Sequence, residues 1–221
     1  MMERPMKLYS NEISSASSRV RIALAIKGIA PEILSVSILG PDAENRPRDL
    51  LALNPQGLVP ALLTENGTLI TQSLSIVEYL DERFPQPPLL PADLEARAFT
   101  RTVALAIAAE IHALVPPRVA AQLGSLGLDA NAIGDWNRHW IREGLGAVES
   151  LLNGRRSGRS GRSCQYVAGD TPTVGDLFLF PQAINAERAG LPLALWPNLA
   201  EVVNNLRAVP AFAENAPAPR R

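Results

Sequence analysis

The sequence predicts a small α/β domain followed by an all-helical domain, and three observations support this fold class. Strand-like and helix-like segments alternate over the first third of the 221 residues. The proline-rich stretch PQPPLLPAD then indicates an extended linker. Beyond it, the periodic segments are helical and none is a clear strand. We therefore assign residues 5–86 to the first domain, 87–93 to the linker and 94–221 to the second domain.

The first domain is predicted to have the element order β-α-β-α-β-β-α. MKLYS is a short strand, and the helix after it ends at Gly28, since glycine suits the left-handed residue that follows a helix. PEILSVSIL is a second strand, and one irregular helix is expected within GPDAENRPRDLLALNP. Asn66-Gly67 predicts a β-hairpin between two short strands. SLSIVEYLDERFP is a helix that ends at Pro85.

The second domain is predicted to be built from helices alone. EARAFTRTVALAIAAEIHALV and AIGDWNRHWIREGLGAVESLL are the long ones. TVGDLFLFPQAINAERAG begins with Thr173 and Asp176, which are spaced as in a capping box, and the last helix ends before Pro210. NGRRSGRSGRSCQY is interpreted as a solvated loop rather than a nucleic-acid patch, because no aromatic residue is interleaved with its arginines.

The composition excludes several classes of function. Lys and Arg total 21 against 22 Asp and Glu, so the chain has no bulk attraction for nucleic acid or an anionic membrane. No apolar run is long enough to span a bilayer, and the N-terminus lacks the apolar core of a signal peptide. Cys164 is the single cysteine, which suits a reducing compartment. These features together predict a cytoplasmic protein. His112 and His139 lack metal-spaced partners, so we also expect no metal site.

Four serines precede the first helix, which is more than a helix cap needs. One hydroxyl is enough to accept from the open N–H groups of a first turn. Several hydroxyls at the positive end of the helix dipole can instead hold an anion. The cluster consists of Ser14, Ser15, Ser17 and Ser18, with Ala16 among them. Redundant capping is the simpler interpretation, but the rest of the sequence favours an anion site.

Two further segments join the serine cluster in the predicted site. LVPAL places Pro60 at the start of a strand, where a cis bond would expose the backbone of Val59. TQSLSI places Gln72 and Ser73 at the start of another helix. Two helix N-termini and a strand edge can together bind one extended anionic peptide.

These segments resemble the glutathione transferase superfamily. NPQGLVPAL and QSLSIVEYLDERFP are generic to it, whereas SSASSRVRIALAIKG is similar to the zeta class, the maleylacetoacetate and maleylpyruvate isomerases. LLPAD, GDTPTVGDLFLFPQAINAER and WPNL extend the resemblance over nearly the whole chain. It implies a thioredoxin-like N-terminal domain, an all-helical C-terminal domain, glutathione as cofactor and a homodimer.

The resemblance also implies roles for individual residues. Ser14 would stabilise the glutathione thiolate as the main catalytic residue, with Ser15 and Ser17 beside it. Val59 would pair with the cysteinyl backbone. The glutathione-binding positions that it implies are Ser14, Ser15, Asn45, Val59, Pro60, Gln72, Ser73 and His112. Gln72 and Ser73 would hold the γ-glutamyl end and Asn45 the glycyl end. For His112, an ordinary half-buried helix position is an equal alternative.

On the substrate side the sequence departs from the zeta pattern. Ala16 replaces the cysteine common in that class, and Ile13 stands where relatives often have arginine. Arg188 matches an arginine that binds a substrate carboxylate, and Arg118 would supply a replacement charge. The first expectation is cis–trans isomerisation of a maleyl-type diketo acid in the degradation of aromatic compounds. Ile13 and Ala16 favour the alternative, a transferase acting on another electrophile such as an α-haloacid.

A third reading is a glutathione-binding protein with little catalysis, and the nearly complete set of thiol-side residues counts against it. Arg19 and Arg21 of the first helix are interpreted as structural residues that snorkel or form pairs, and the alternative for Arg21 is that it faces the other subunit.

Overall fold

The computed structural model describes residues 5–38, 48–158 and 164–219. The chain up to Pro88, together with the tail from Glu214 onward, forms one compact unit, and Leu89–Ala213 forms a second. Residues 89–93, which the sequence suggested as linker, thus group with the helical unit. Residues 214–219, which the sequence placed in the helical domain, group with the first unit.

The described part of the first unit contains a four-stranded mixed sheet. Its strands are β1 (Lys7–Ser10), β2 (Glu32–Ser35), β3 (Ala61–Leu63) and β4 (Leu69–Thr71), in the order β2-β1-β3-β4. β1 is parallel to β2 and antiparallel to β3, and β3 and β4 are antiparallel. Gly67 has a φ of 81° in the turn between β3 and β4, which confirms the predicted hairpin.

Three helices complete the described part of the first unit: α1 (Ser15–Lys27), α2 (Arg48–Leu53) and α3 (Ser73–Arg83). α1 ends as predicted, because Gly28 takes a φ of 67° and its N–H donates to the carbonyl of Ala25 at 3.1 Å. The buried side chain of Lys27 then joins the ends of α1 and α3. Its Nζ donates to Asp81 Oδ1 at 2.6 Å and to the carbonyl of Phe84 at 2.7 Å.

The second unit is helical throughout its described residues, which confirms the predicted fold class. Its elements are α4 (Leu94–Leu105), a π-helical turn (Ala106–Ile111), α5 (Pro117–Ser125), α6 (Ala130–Gly158), α7 (Val174–Arg188), a 3₁₀ turn (Leu193–Leu195), α8 (Pro197–Arg207) and α9 (Pro210–Ala213). α7 is almost wholly buried and packs against α4. Within the ranges described, no helix is both long and apolar enough to cross a membrane.

The long helix expected over residues 95–115 is interrupted. α4 stops at Leu105, a π-helical turn follows to Ile111, and the short helix α5, which was not predicted, begins at Pro117. Apolar spacing does not distinguish a π turn from an α turn, because the two differ by a single inserted residue. Proline at the first position of α5 fits a helix start, since that position needs no N–H donor.

The interpretation of the basic stretch as a solvated loop is wrong at its first two arginines. Arg155 and Arg156 lie in the last turn of α6, where basic residues favour the negative end of the helix dipole. Arg156 Nη1 donates to Glu201 Oε2 at 2.6 Å, and the Arg155 guanidinium lies 4.6 Å from the centre of the Phe99 ring. The other two arginines of the stretch lie outside the described residues: Arg159 and Arg162.

Candidate active site

Ser14 caps α1, and its hydroxyl group can still donate a hydrogen bond. Its backbone is extended, with φ −74° and ψ 118°, and its Oγ accepts from the Ser17 N–H at 3.2 Å. Among the residues that the structure describes, this is the one hydrogen bond of the Ser14 hydroxyl. A hydroxyl that accepts at its oxygen can still donate its hydrogen. Ser14 can therefore cap the helix and donate to a ligand at the same time.

The serines that follow lie deeper in the first unit. Ser17 and Ser18 are fully buried, and Ser15 is 3% exposed. Ser17 Oγ accepts from the backbone N–H of Asn11 at 3.3 Å, while Ser18 Oγ donates to the carbonyl of Asn215 at 2.6 Å. Both hydroxyls thus have partners within the unit, and Ser18 ties α1 to the C-terminal tail.

The loop before α1 is held by Arg21, which lies on α1 itself. Its Nη1 donates to Ser10 Oγ at 3.2 Å and to the carbonyl of Asn11 at 3.0 Å, and its Nη2 donates to the carbonyl of Glu12 at 3.3 Å. Burial lowers the pKa of Arg21, and the nearby Glu12 partly offsets this. Asn11 Oδ1 accepts from the N–H of Ile13 at 3.0 Å. These bonds fix the turn that presents Ser14, and the half-buried Ile13 precedes it.

A second helix start lies at α3, and its entry has an unusual backbone. Gln72 has φ 68° and ψ 122°, and it is the one non-glycine residue with positive φ in the described ranges. Such conformations are rare for residues with a side chain and are often found at functional sites. The exposed side chain of Gln72 donates to Gln56 Oε1 at 3.1 Å and does not cap α3. The first N–H groups of α3 therefore remain open to a ligand.

Arg19 connects the two helix starts. It lies on α1 one turn after Ser15, is only 2% exposed, and its Nη1 donates to Ser73 Oγ at 3.1 Å. Ser73 is the first residue of α3 and is itself buried. Of the two roles expected for Arg19, snorkelling and pairing, the structure shows pairing, because its guanidinium lies in the interior and bonds to Ser73. The sequence signal for it is an arginine on the face of α1 that also carries buried apolar residues.

Val59 and Pro60 form the strand-edge part of the candidate site. The peptide bond between them is cis, and Pro60 leads directly into β3. Val59 is half-buried, and among the described residues its N–H and C=O have no hydrogen-bond partner. They can therefore pair with the backbone of an extended peptide.

The other candidate residues that the structure describes lie on the second unit. His112 follows the π-helical turn, is half-buried, and its N–H donates to the carbonyl of Ile107 at 2.8 Å. Arg118, the second residue of α5, and Arg188, the last residue of α7, are both exposed on the second unit. Asn45 lies outside the described residues.

Comparisons with known proteins identify the family to which the chain is similar. Residues 13–83 match the family described as glutathione S-transferase, N-terminal domain. Maleylacetoacetate isomerase of Pseudomonas aeruginosa is 42% identical over 213 residues, which is 96% of each chain. The holo structure of maleyl pyruvate isomerase, a bacterial glutathione-S-transferase in zeta class, superposes with a TM-score of 0.87 at 36% identity, covering 97% of this chain and 98% of that one.

A second solved structure is that of maleylacetoacetate isomerase from Methylobacterium extorquens with bound malonate and glutathione. It has a TM-score of 0.86 and 35% identity, and the match covers 97% of this chain and 98% of that chain.

Proposed function

The chain belongs to the glutathione transferase superfamily, in the branch of maleylacetoacetate and maleylpyruvate isomerases, and we propose that it is a glutathione-dependent cis–trans isomerase of a maleyl-type diketo acid. One observation carries the proposal. The Ser14 oxygen accepts from the first turn of α1, which leaves its hydrogen available to a ligand, at the position where this family stabilises a thiolate.

The chemistry needs a thiolate rather than a thiol, because only the thiolate is a strong nucleophile. Glutathione, when bound, would supply this thiolate, whose reversible addition to the activated carbon–carbon double bond would permit rotation to the trans isomer without net consumption of thiol. Ser14 donates a hydrogen bond to the sulfur, and the N-terminus of α1 adds a positive potential. Both favour the charged form of the sulfur and lower its pKa.

The remaining polar groups of the first unit fit the rest of the tripeptide. The open N–H groups of α3 and the Ser73 hydroxyl suit the γ-glutamyl carboxylate, because a helix N-terminus binds anions. The backbone of Val59 suits the cysteinyl residue, and Gln72 contacts the γ-glutamyl end. Ser15 lies beside Ser14 at the sulfur, and the buried Ser17 supports the turn through Asn11. Asn45 and His112 are proposed for the glycyl end and the rim of the glutathione site.

The substrate side rests on arginines of the second unit. We assign the substrate carboxylate to Arg188, because an exposed guanidinium at the end of α7 can bind a carboxylate in bidentate fashion. Arg118 supplies a second positive charge, which compensates for the neutral side chain of Ile13. The balanced charge and the single cysteine support a cytoplasmic location, and the resemblance supports a homodimer that acts in the degradation of aromatic compounds.

A specific observation favours a second candidate function. Ile13 places an apolar, half-buried side chain directly before Ser14, and Ala16 removes a thiol from the same turn. A less acidic electrophile, such as an α-haloacid with one carboxylate, would suit such a surface better than a dianion. The protein would then consume glutathione as a transferase.

The deciding experiment follows the absorbance of maleylacetone and maleylpyruvate with catalytic glutathione. It compares the wild type, Ser14→Ala and the matched control Ser150→Ala, which changes an exposed serine of α6. Turnover that requires glutathione without consuming it, lost in Ser14→Ala and kept in Ser150→Ala, is the expected result. Thiol consumption with haloacids alone would establish the transferase, and glutathione binding without any turnover would leave only a binding protein.

A further inference from the structure

Arg19 is a charged side chain in the interior of the first unit. Its helical neighbours Val20, Ile22 and Ala23 are fully buried, and Arg19 itself is 2% exposed. A buried guanidinium is expensive to desolvate, so such a residue persists where its charge or its geometry is used. Burial lowers the pKa of Arg19 to about 9, which still leaves it cationic at neutral pH.

The bond between Arg19 and Ser73 has a fixed direction. A guanidinium can only donate, so Ser73 Oγ is the acceptor of the 3.1 Å bond from Arg19 Nη1. The proton of the Ser73 hydroxyl must then point to another acceptor. Ser73 opens α3, whose first N–H groups are not capped by Gln72. Hydroxyl and amide donors therefore converge on one acceptor at this helix start.

We propose that Arg19 is a positioning residue for the γ-glutamyl carboxylate of glutathione. It holds the Ser73 hydroxyl in the donor orientation and places a buried positive charge behind the N-terminus of α3. Both effects favour a carboxylate at that point, because charge-assisted hydrogen bonds are the stronger ones. The inference rests on the proposed function, since it takes glutathione as the ligand of the first unit.

A purely structural pin between α1 and α3 is the alternative role of Arg19. Such a pin would affect every ligand of the site alike, whereas a carboxylate-positioning residue affects only ligands that carry the carboxylate. Two glutathione analogues separate these cases. Glutaryl-Cys-Gly keeps the carboxylate of the γ-glutamyl group and lacks its amine, and 4-aminobutyryl-Cys-Gly keeps the amine and lacks the carboxylate.

The experiment measures the dissociation constants of glutathione and both analogues by calorimetry. It uses the wild type, Arg19→Met, Ser73→Ala and the double variant. We expect Arg19→Met to weaken glutathione and glutaryl-Cys-Gly about ten-fold, the loss typical of one charge-assisted bond, and to weaken 4-aminobutyryl-Cys-Gly less than about two-fold. Ser73→Ala should show the same selectivity, and the double variant should lose little more, because the two residues act as one unit.

Arg21→Met is the matched control, since Arg21 is a second arginine of α1. Its bonds go to Ser10, Asn11, Glu12 and Asn215 and not to Ser73. It should weaken both analogues to the same degree. Circular dichroism shows whether each variant folds. If Arg19→Met does not fold, the same comparison of the two analogues is made with Arg19→Lys and Ser73→Ala. Lys keeps the charge, and Ser73→Ala leaves Arg19 in place.

Equal losses for both analogues in Arg19→Met or in Ser73→Ala would overturn the role of Arg19. A wild type that binds no glutathione would overturn the proposed function itself. If the wild type is an active isomerase but the variants lose affinity for both analogues equally, the proposed function stands and only the role of Arg19 is overturned.

Discussion

The hydroxyl groups of Thr100 and Thr173 lie 2.7 Å apart in the interior of the second unit, and they join α4 to the start of α7. The neighbours fix the direction of this bond. Thr173 Oγ1 donates to Asp176 Oδ2 at 2.8 Å, so Thr100 is the donor to Thr173. Thr100 Oγ1 in turn accepts from the Gly175 N–H at 2.6 Å. A continuous chain of hydrogen bonds therefore runs from the Gly175 N–H through the hydroxyl groups of Thr100 and Thr173 to Asp176.

Thr100→Val should destabilise the second unit although it preserves the shape of the side chain. The variant leaves the Gly175 N–H and the Thr173 hydroxyl oxygen without these buried partners, which costs about 1–3 kcal/mol of the free energy of unfolding. Urea denaturation measures the loss. Thr102→Val is the control, because Thr102 lies on the exposed face of the same helix. Equal stability of the two variants would show that this chain of hydrogen bonds contributes nothing.

Asp176 ends this chain of hydrogen bonds and is itself fully buried. Its Oδ1 accepts from the Val167 N–H at 2.9 Å and its Oδ2 from the Thr173 N–H at 2.8 Å, so the predicted capping box is confirmed. Burial raises the pKa of Asp176 from 3.8 to about 6, although the hydrogen bonds from Val167 and Thr173 act in the opposite direction.

The raised pKa makes part of the stability depend on pH. Between pH 3.8 and about 6 the native state holds the proton of Asp176 more tightly than the unfolded chain does. The stabilisation is therefore complete below pH 3.8 and is lost as the pH rises through about 6. Relative to Asp176→Asn, the free energy of unfolding of the wild type should fall by about 2 kcal/mol from pH 4.5 to pH 7.

Chemical denaturation of both proteins at these two pH values measures the difference. Asn at this position does not titrate, so the other carboxyl groups cancel in the comparison. A difference that stays constant would mean that Asp176 ionises in the folded protein at its ordinary pKa, and one that grows with pH would mean that its pKa is lowered.

Features of the fold that depend on neighbouring residues in sequence were predictable. Gly28 and Gly67 mark a helix end and a hairpin because a positive φ favours glycine at those points. Thr173 and Asp176 mark a helix start because the capping box spans only four residues. The segments that carry Ser14, Val59 and Ser73 were indicated by helix starts and a proline at a strand start, whereas the roles of these residues came from the resemblance. The structure adds the hydrogen-bond partners of Ser14 and Ser73.

Features that depend on distant contacts escaped the sequence analysis. The buried position of Arg19 depends on its bond to Ser73, 54 residues further along the chain. The return of the tail to the first unit depends on Ser18 and Asn215, which are 197 residues apart. The π-helical turn packs closely against α6 because Gly144 leaves space for Ile111. The sequence around either residue does not predict this contact.

Gly144→Ala tests the packing of that turn. A Cβ at this position would lie 2.2 Å from Cγ1 and 2.5 Å from Cδ1 of Ile111, so the side chains must move apart. Overpacking of this kind costs about 1–3 kcal/mol of the free energy of unfolding. The matched control is Gly154→Ala, also on α6, where a Cβ would have no heavy atom within 4 Å. That variant should be as stable as the wild type or more stable, because alanine favours helix over glycine.

The cost of Gly144→Ala should shrink in an Ile111→Ala background, since the atoms it meets are then absent. Thermal or urea denaturation of the four proteins of this cycle gives the coupling. Additive losses would mean that the cost of Gly144→Ala does not come from contact with Ile111.

The C-terminal tail should hold the loop that presents Ser14. The Ala218 N–H donates to the carbonyl of Glu12 at 2.9 Å, and the Asn215 carbonyl accepts from Ser18 Oγ at 2.6 Å and from Arg21 Nη2 at 3.4 Å. Deletion of the chain after Ala213 removes all three bonds, and Ser18→Ala removes one. The deletion falls at the end of α9, so the helices of the second unit stay complete.

Hydrogen exchange followed by mass spectrometry should show faster exchange of the amides between Asn11 and Ser14. We expect about a hundred-fold for the deletion and about five-fold for Ser18→Ala, since each of the three lost bonds contributes about 1 kcal/mol. Exchange in α7 and α8 should not change. The pKa of the glutathione thiol in the complex, read from thiolate absorbance, should rise with the deletion, because a mobile Ser14 donates less effectively to the sulfur. An unchanged thiol pKa together with faster exchange would separate the loop from catalysis and restrict the tail to stability.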